Sequence, residues 1–174
     1  MFQIGDRVVY GQSGVCNVID VSRQHFSGLS DERVYYTLKP VSCEATIFVP
    51  VDTQKPIRPL MSREDADALI DSIPSIRVHG PDSVDIKHWV ERYRTLTGSC
   101  DCSDLLELVM LIYAKKVNAE ERNRNLGQID QNYMKNAESL LHNELAEALG
   151  IQRDAVPEYI KKRIAHSARK MDAL

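Results

Sequence analysis

The sequence predicts an α+β chain, with a small antiparallel β-barrel in residues 1–60 and a C-terminal all-α helical bundle in residues 61–174. Two observations carry that expectation. Up to Leu60 the apolar and β-branched residues come in short, half-alternating runs, the pattern of strands with one face turned inward. From Ser62 the apolar spacing changes to about 3.6 residues, the period of an amphipathic helix. Pro56 and Pro59 stand at the change, where neither period continues through them.

The strand runs are residues 6–10 (DRVVY), 15–21 (VCNVIDV), 33–39 (RVYYTLK) and 46–51 (TIFVPV). Val, Ile, Tyr, Phe and Thr suit a pleated, half-buried surface. Gly11, Gln12, Ser13 and Gly14 suit a tight connection between antiparallel neighbours. Residues 24–31, with Gly28 and Ser30, predict a longer hairpin loop, residues 42–45 a further turn, and residues 57–60 a short last strand. Short sequential strands of this kind fit a small barrel of the SH3 or Tudor type. Such a barrel has little room for a catalytic cleft, but its strand edges can pair with another protein's sheet.

Ser62 predicts the cap of the first helix, with Glu64 and Asp65 in its first turn and Ala66, Leu69, Ile70 and Ile73 on its apolar face; Pro74 ends it. Residues 75–81 connect, and Ser83 predicts the cap of a second helix that Gly98 closes. Ser103 predicts the next cap, before the stripe Leu105, Leu108, Val109, Ile112 and Tyr113. Residues 118–125 either extend that helix or leave it, and Gly127 breaks the pattern. Ile129, Tyr133, Ala137, Leu140, Leu141, Leu145 and Leu149 mark a long helix ending at Gly150, and Pro157 fits the first turn of the last one. Five helices with short connections imply a bundle.

Composition excludes several classes. Hydrophobic residues at 43% and charged residues at 27% supply a core and a solvated surface. No apolar run approaches the roughly 20 residues of a membrane span, and the first residues, MFQIGDRVVYGQ, lack the regions of a signal peptide. Cys16, Cys43, Cys100 and Cys102, without an export signal, predict reduced thiols in a cytoplasm. Cys100 and Cys102 form a lone CxC and predict ordinary thiols, with no metal site. The nucleotide-loop, nucleophile-elbow and zinc-protease motifs are absent, and the five histidines show no ligand spacing. Glu121, Glu144 and Glu147 fall among helical charges. The expectation is therefore a protein that is not an enzyme, with no catalytic residue, no cofactor and no small-molecule substrate.

The net charge is −3, and the first sixty residues hold six basic and six acidic side chains, so no global field draws the chain to DNA or to a membrane. A nucleic-acid contact has to be local. One candidate is the tail with Lys161, Lys162, Arg163, Arg169 and Lys170, which also reads as the solvated face of a last helix. The other is the stretch DIKHWVERYR around Trp89, the only tryptophan. At about 100° per residue, Ile86, Val90 and Tyr93 line one face and Trp89 falls roughly 60° to its side, beside His88 and Arg92. A lone tryptophan is usually a packing residue. At a stripe's edge, with Lys87, Arg92 and Arg94 nearby in sequence, it also suits insertion into nucleic acid while cations hold phosphates.

Together these residues resemble the CarD/CdnL family of bacterial transcription regulators, whose first domain is shared with the transcription-repair coupling factor. Ile4-Gly-Asp-Arg-Val-Val-Tyr10 followed by Gly14 is similar to the family's opening, residues 35–39 and 46–50 to its central strands, Trp89-Val-Glu-Arg-Tyr-Arg94 to its tryptophan-bearing helix, and residues 126–146 to its long helix. The likeness covers roughly residues 1–149. It implies a Tudor-like domain that binds the β subunit of RNA polymerase, with contacts at Thr46, Ile47, Phe48 and Val49. It also implies a helical domain that touches promoter DNA in the minor groove at the upstream edge of the transcription bubble, with slight sequence preference. Trp89 is then the wedge that stabilises the open complex, Arg92 and Arg94 are phosphate contacts, and Lys87 and His88 complete the DNA-binding set. Glu91 stands where a basic residue is usual, and Phe48 where some members carry arginine, which implies weaker DNA affinity and a more apolar polymerase contact. The alternative is a protein-interaction adaptor that docks without touching DNA.

Overall fold

Alternation decides which side chains of the first sixty residues meet. A computed structural model describes residues 1–24, 33–78 and 85–171, the stretch 167–171 by its backbone alone. Five strands form: β1 Arg7–Tyr10, β2 Val15–Gln24, β3 Arg33–Pro40, β4 Ile47–Pro50 and β5 Ile57–Pro59. They pair antiparallel in the order β4-β3-β2-β1-β5. β4 and β5 are the sheet's outer strands, and no ladder between described residues joins them, so the sheet is open where a closed barrel was expected. The hairpin loop expected over 24–31 lies outside the described residues, apart from Gln24, which ends β2.

Val8, Cys16, Val18, Tyr36, Leu38 and Val49 make the core of one sheet face. Phe2 closes it edge-on against Tyr36, with ring centroids 5.8 Å apart, and its N–H donates to the Tyr36 hydroxyl at 3.1 Å. A bulge between Val18 and Asp20 resets the alternation. Ile19 consequently faces out, 46% exposed, while Val21 turns back towards the core. The opposite face of β1 and β2 is apolar too: Val9 and Val15 pack on Cys100 of the helical part, with Leu60 at the margin. That explains why β1 reads as a run of valines with no polar side.

Ser62 caps α1 (Arg63–Ser72) by accepting the Asp65 N–H at 3.0 Å, and Pro74 sits in the single tight turn that follows. The cap of α2 (Ile86–Gly98) is Asp85, which accepts the Lys87 N–H at 3.0 Å; Ser83 lies outside the described residues. The cap of α3 (Cys102–Glu121) is Asp101, and not Ser103, because the Asp101 carboxylate accepts the Ser103 N–H at 2.8 Å. The helix continues through the polar residues as far as Glu121. α4 (Gln128–Leu149) starts at Gly127 and ends at Gly150, whose φ of +66° turns the chain so that the Ile151 N–H reaches the Ala146 carbonyl at 3.0 Å. α5 (Val156–Met171) has Pro157 in its first turn. Tyr93, Leu108, Ile112, Leu141, Leu145 and Leu149 lie at the centre of the helical core. None of these helices is long and apolar enough to cross a membrane.

Sheet and helices are joined by a buried ion pair. Glu144 of α4 is 2% exposed, and Arg58 of β5 holds both its oxygens, at 2.6 and 2.9 Å. The Arg58 Nε–H donates to the Cys100 carbonyl at 2.6 Å, where the backbone takes the left-handed φ of +64°. The Cys102 thiol donates to Glu144 Oε2 at 3.0 Å. Burial above all, then the neighbouring Glu144 charge, pushes the Cys102 thiol far up, so it remains a protonated donor. Burial opposes the Arg58 charge, but the Glu144 hydrogen bonds and charge outweigh it and hold the guanidinium protonated. Nearby, Gly14 brings the β1–β2 connection onto α4; a Cβ there would lie 3.2 Å from Leu140 Cδ2.

Arg58→Ala should strand the Glu144 carboxylate in a buried site. The expected loss is about 3 kcal/mol, roughly 6–12 °C in melting temperature for a chain of this size. Arg58→Met combined with Glu144→Leu removes both charges and should recover most of that loss. A calorimetric scan in which Arg58→Ala melts with the wild type would show that the pair contributes nothing.

Candidate interaction surfaces

The residues singled out in the sequence fall on two surfaces, β4 and α2. On β4, alternation places Ile47 and Val49 towards the sheet core and Phe48 away from it. Val49 is 1% exposed and Phe48 45% exposed. Their partners across β3 are Tyr36 for Val49, Thr37 for Phe48 and Leu38 for Ile47. Thr46 is exposed just ahead of the strand. As the last strand in the sheet order, β4 has one side of its backbone unclaimed by the ladder among the described residues, the arrangement that accepts a partner's strand or loop. Lys39 and Glu44, 2.9 Å apart, mark the turn that leads into it.

On α2 the helix itself sorts the candidates. Tyr93 is fully buried, Val90 and Trp89 are partly buried, and Ile86, at the helix's first position one turn ahead of the buried stripe, is 57% exposed. Around the axis Trp89 shares its flank with His88 and Arg92, whereas Lys87 and Arg94 lie on the opposite flank with Glu91 between them. The helix therefore splits the cations that the sequence places near Trp89. Arg92 is bound to Glu107 of α3. His88 Nδ1 lies 3.9 Å from Asp85 Oδ2. Lys87 and Arg94 are exposed and form no ion pair with a described residue.

Trp89 rests on a cluster that periodicity did not bring forward. Its ring meets Tyr93 edge-on, with centroids 6.0 Å apart, and the Lys115 ammonium of α3 lies 4.4 Å from its centroid. Asp130 of α4, 7% exposed, accepts from Lys115 at 2.7 Å and from the Tyr93 hydroxyl at 2.7 Å. Burial first, with the Asp130 hydrogen bond and charge adding, pushes the Tyr93 hydroxyl far up, so it stays a donor. The signal for this cluster was an acid on an apolar stripe: Asp130 lies in register with Ala137 and Leu141, and Glu144 likewise adjoins Leu141 and Leu145. An acid at such a position needs a buried partner.

The tail is committed elsewhere. Arg163 is bound to Asp71 at 2.9 and 2.6 Å and to Asp67 at 3.0 Å, fastening α5 to α1, and Lys162 lies 3.6 Å from Glu158. The side chains of Arg169 and Lys170 lie outside the described residues. The Cys100 and Cys102 thiols point to separate acceptors, the Val9 carbonyl and Glu144, and burial holds both above the ordinary thiol range. Cys16 is pushed up to about 11, mainly by burial.

The chain thus joins a small sheet, whose outer strand has one side unclaimed among the described residues, to a bundle with a partly buried tryptophan on the flank of α2. Residues 2–61 match the family model of the CarD-like/TRCF RID domain. The domain is of the RNA polymerase-interacting type. The match covers the sheet and ends at Met61, ahead of the helices. No curated protein matches the chain.

Phe48→Glu should leave the melting temperature within about 2 °C of wild type, as a change at an exposed side chain usually does. Val49→Asp buries an unpaired charge in the sheet core and should unfold that part of the chain. Equal melting of the two variants would show that β4 is oriented otherwise.

Proposed function

We propose that this protein is a non-enzymatic transcription regulator that works in the cytoplasm on bacterial RNA polymerase. In this reading residues 1–60 dock on the polymerase β subunit through the outer side of β4, with Thr46, Ile47 and Val49 supplying the strand and Phe48 the apolar contact. Residues 61–174 then bring the Trp89 flank of α2 to promoter DNA at the upstream edge of the bubble and prolong the open complex. The observation that carries the reading is the polymerase-interacting domain matched over residues 2–61, with its accessible strand β4. No cofactor, membrane or small-molecule substrate enters it.

The physics suits a protein with a net charge of −3, which has little affinity for free DNA. Docking on polymerase raises the effective concentration of α2 at one position on the template, so one aromatic side chain and a few cations suffice. Minor-groove edges are read degenerately, so sequence preference is slight. A gain of about 1.4 kcal/mol changes the ratio of open to closed complex tenfold.

A second reading, an adaptor that docks on polymerase without touching DNA, is favoured by the Arg92–Glu107 pair and by Glu91 standing between Lys87 and Arg94. Promoter open-complex lifetime separates the two. Trp89→Ala should shorten it at least several-fold, since base–aromatic stacking contributes on the order of 1–3 kcal/mol, and should leave β-subunit affinity unchanged. Phe48→Glu should lower that affinity roughly tenfold or more. Glu107→Gln releases Arg92 and should steepen the salt dependence of DNA contact by about one phosphate, a slope of roughly 0.9. A folded, polymerase-bound Trp89→Ala variant with wild-type lifetimes would establish the adaptor.

A further inference from the structure

We propose that Lys115 is a positioning residue for Trp89: paired with Asp130, its ammonium clamps one face of the indole so that the ring projects from α2 in one fixed orientation. The functional half of this proposal rests on the reading of Trp89 as the DNA-contacting side chain; the clamp itself does not.

The geometry is a chain of anchored groups. Tyr93 is fully buried and donates its hydroxyl to Asp130 at 2.7 Å. Asp130 is therefore fixed from α2 as well as by its own place in the first turn of α4. The Lys115 ammonium meets Asp130 at 2.7 Å and lies 3.5 Å from the Tyr93 hydroxyl, so two contacts that do not involve the tryptophan set its position. At 4.4 Å from the Trp89 centroid it is well inside the range of a cation–π contact, and tryptophan is the strongest partner for one. The indole thus lies between the edge-on ring of Tyr93 and a pinned cation. Three helices contribute: α2 the two rings, α3 the lysine, α4 the acid.

Two consequences follow. The clamped face is closed to a stacking partner while Lys115 stays in place. The ring is also ordered before it binds, which removes that cost from the encounter. Lys115 reaches the indole from α3, whereas Lys87 and Arg94 lie on the far flank of α2 by helical position and Arg92 is bound to Glu107.

Trp89 is the only tryptophan of these 174 residues, so their intrinsic tryptophan fluorescence reports this ring alone. Lys115→Met keeps the aliphatic stem and removes the charge. Acrylamide quenching of Trp89 should rise about twofold and its anisotropy should fall, with polymerase affinity unchanged and open-complex lifetime shortened several-fold. Lys115→Arg, which keeps both the ion pair and the cation–π contact, should restore wild-type values. Should Lys115→Met fold poorly with Asp130 left unpaired, Lys115→Met combined with Asp130→Asn removes both charges and keeps an acceptor for Tyr93; it should show the same loosened ring. Wild-type quenching and anisotropy in a folded variant overturn the clamp. A loosened ring with wild-type lifetimes, where Trp89→Ala does shorten them, overturns the positioning role. Unchanged lifetimes in Trp89→Ala overturn the DNA reading instead, and the fluorescence then decides the clamp by itself.

Discussion

Two buried acids on a single helix constrain this molecule. Asp130 and Glu144 both lie on the inward stripe of α4, 7% and 2% exposed. A carboxylate at such a site has to be paired and hydrogen-bonded, since the cost of burying it alone is several kcal/mol. Glu144 draws Arg58 from the sheet and a thiol from α3. Asp130 draws Lys115 from α3 and a hydroxyl from α2. Each acid thus dictates which neighbouring element comes to that end of α4, and a purely aliphatic stripe would specify neither.

The sheet shows the same economy in an apolar form. Val8 and Cys16 turn towards the sheet core, while their neighbours Val9 and Val15 turn towards Cys100. Val8, Val9, Val15 and Cys16 are therefore buried on both faces of β1 and the start of β2, whereas on β4 core and surface side chains alternate. Val49 closes the core and Phe48 faces out. No described residue pairs with the outer edge of β4, and an edge of that kind can accept another protein's strand.

Much of this was legible in the sequence because it rests on local periods. The strands, five helices, the Ser62 cap and the Gly150 stop follow from alternation, 3.6-residue spacing and cap chemistry, and each lies within a few residues of its expected bounds. Ser103 yielded to Asp101 as a cap because two good capping residues stood within one turn, and only the backbone decides between them. The open sheet was not legible, because closure depends on whether β4 reaches β5, a distance no local pattern encodes. The surroundings of Trp89 were half legible. Periodicity put the ring at the edge of the stripe, but linear proximity suggested a cationic collar that helical geometry divides between two flanks. Lys115 and Asp130, 26 and 41 positions further on, could be joined to it only through the packing of three helices. The acids inside the α4 stripe are the visible trace of that packing; Glu144, expected among the solvated charges of the helix, is buried.

The placement of those acids links the two candidate surfaces. They are fourteen residues apart on one uninterrupted helix, about 21 Å at 1.5 Å per residue. Through Glu144 the helix is fastened to the sheet that carries β4, and through Asp130 to the cluster beneath Trp89. A protein tethered to a large partner gains effective concentration at a second site only if the path between its two contacts has the right length and little freedom. A flexible path spreads the second contact over many positions and loses most of that gain. Here the path from β4 to Trp89 crosses the sheet through β3, β2 and β1 to β5, then a bidentate ion pair, α4 and a second charge pair, with no described loop needed to carry it. Under the proposed function that economy matters, because the field of a chain with a net charge of −3 does not hold it to DNA and placement is left to do so.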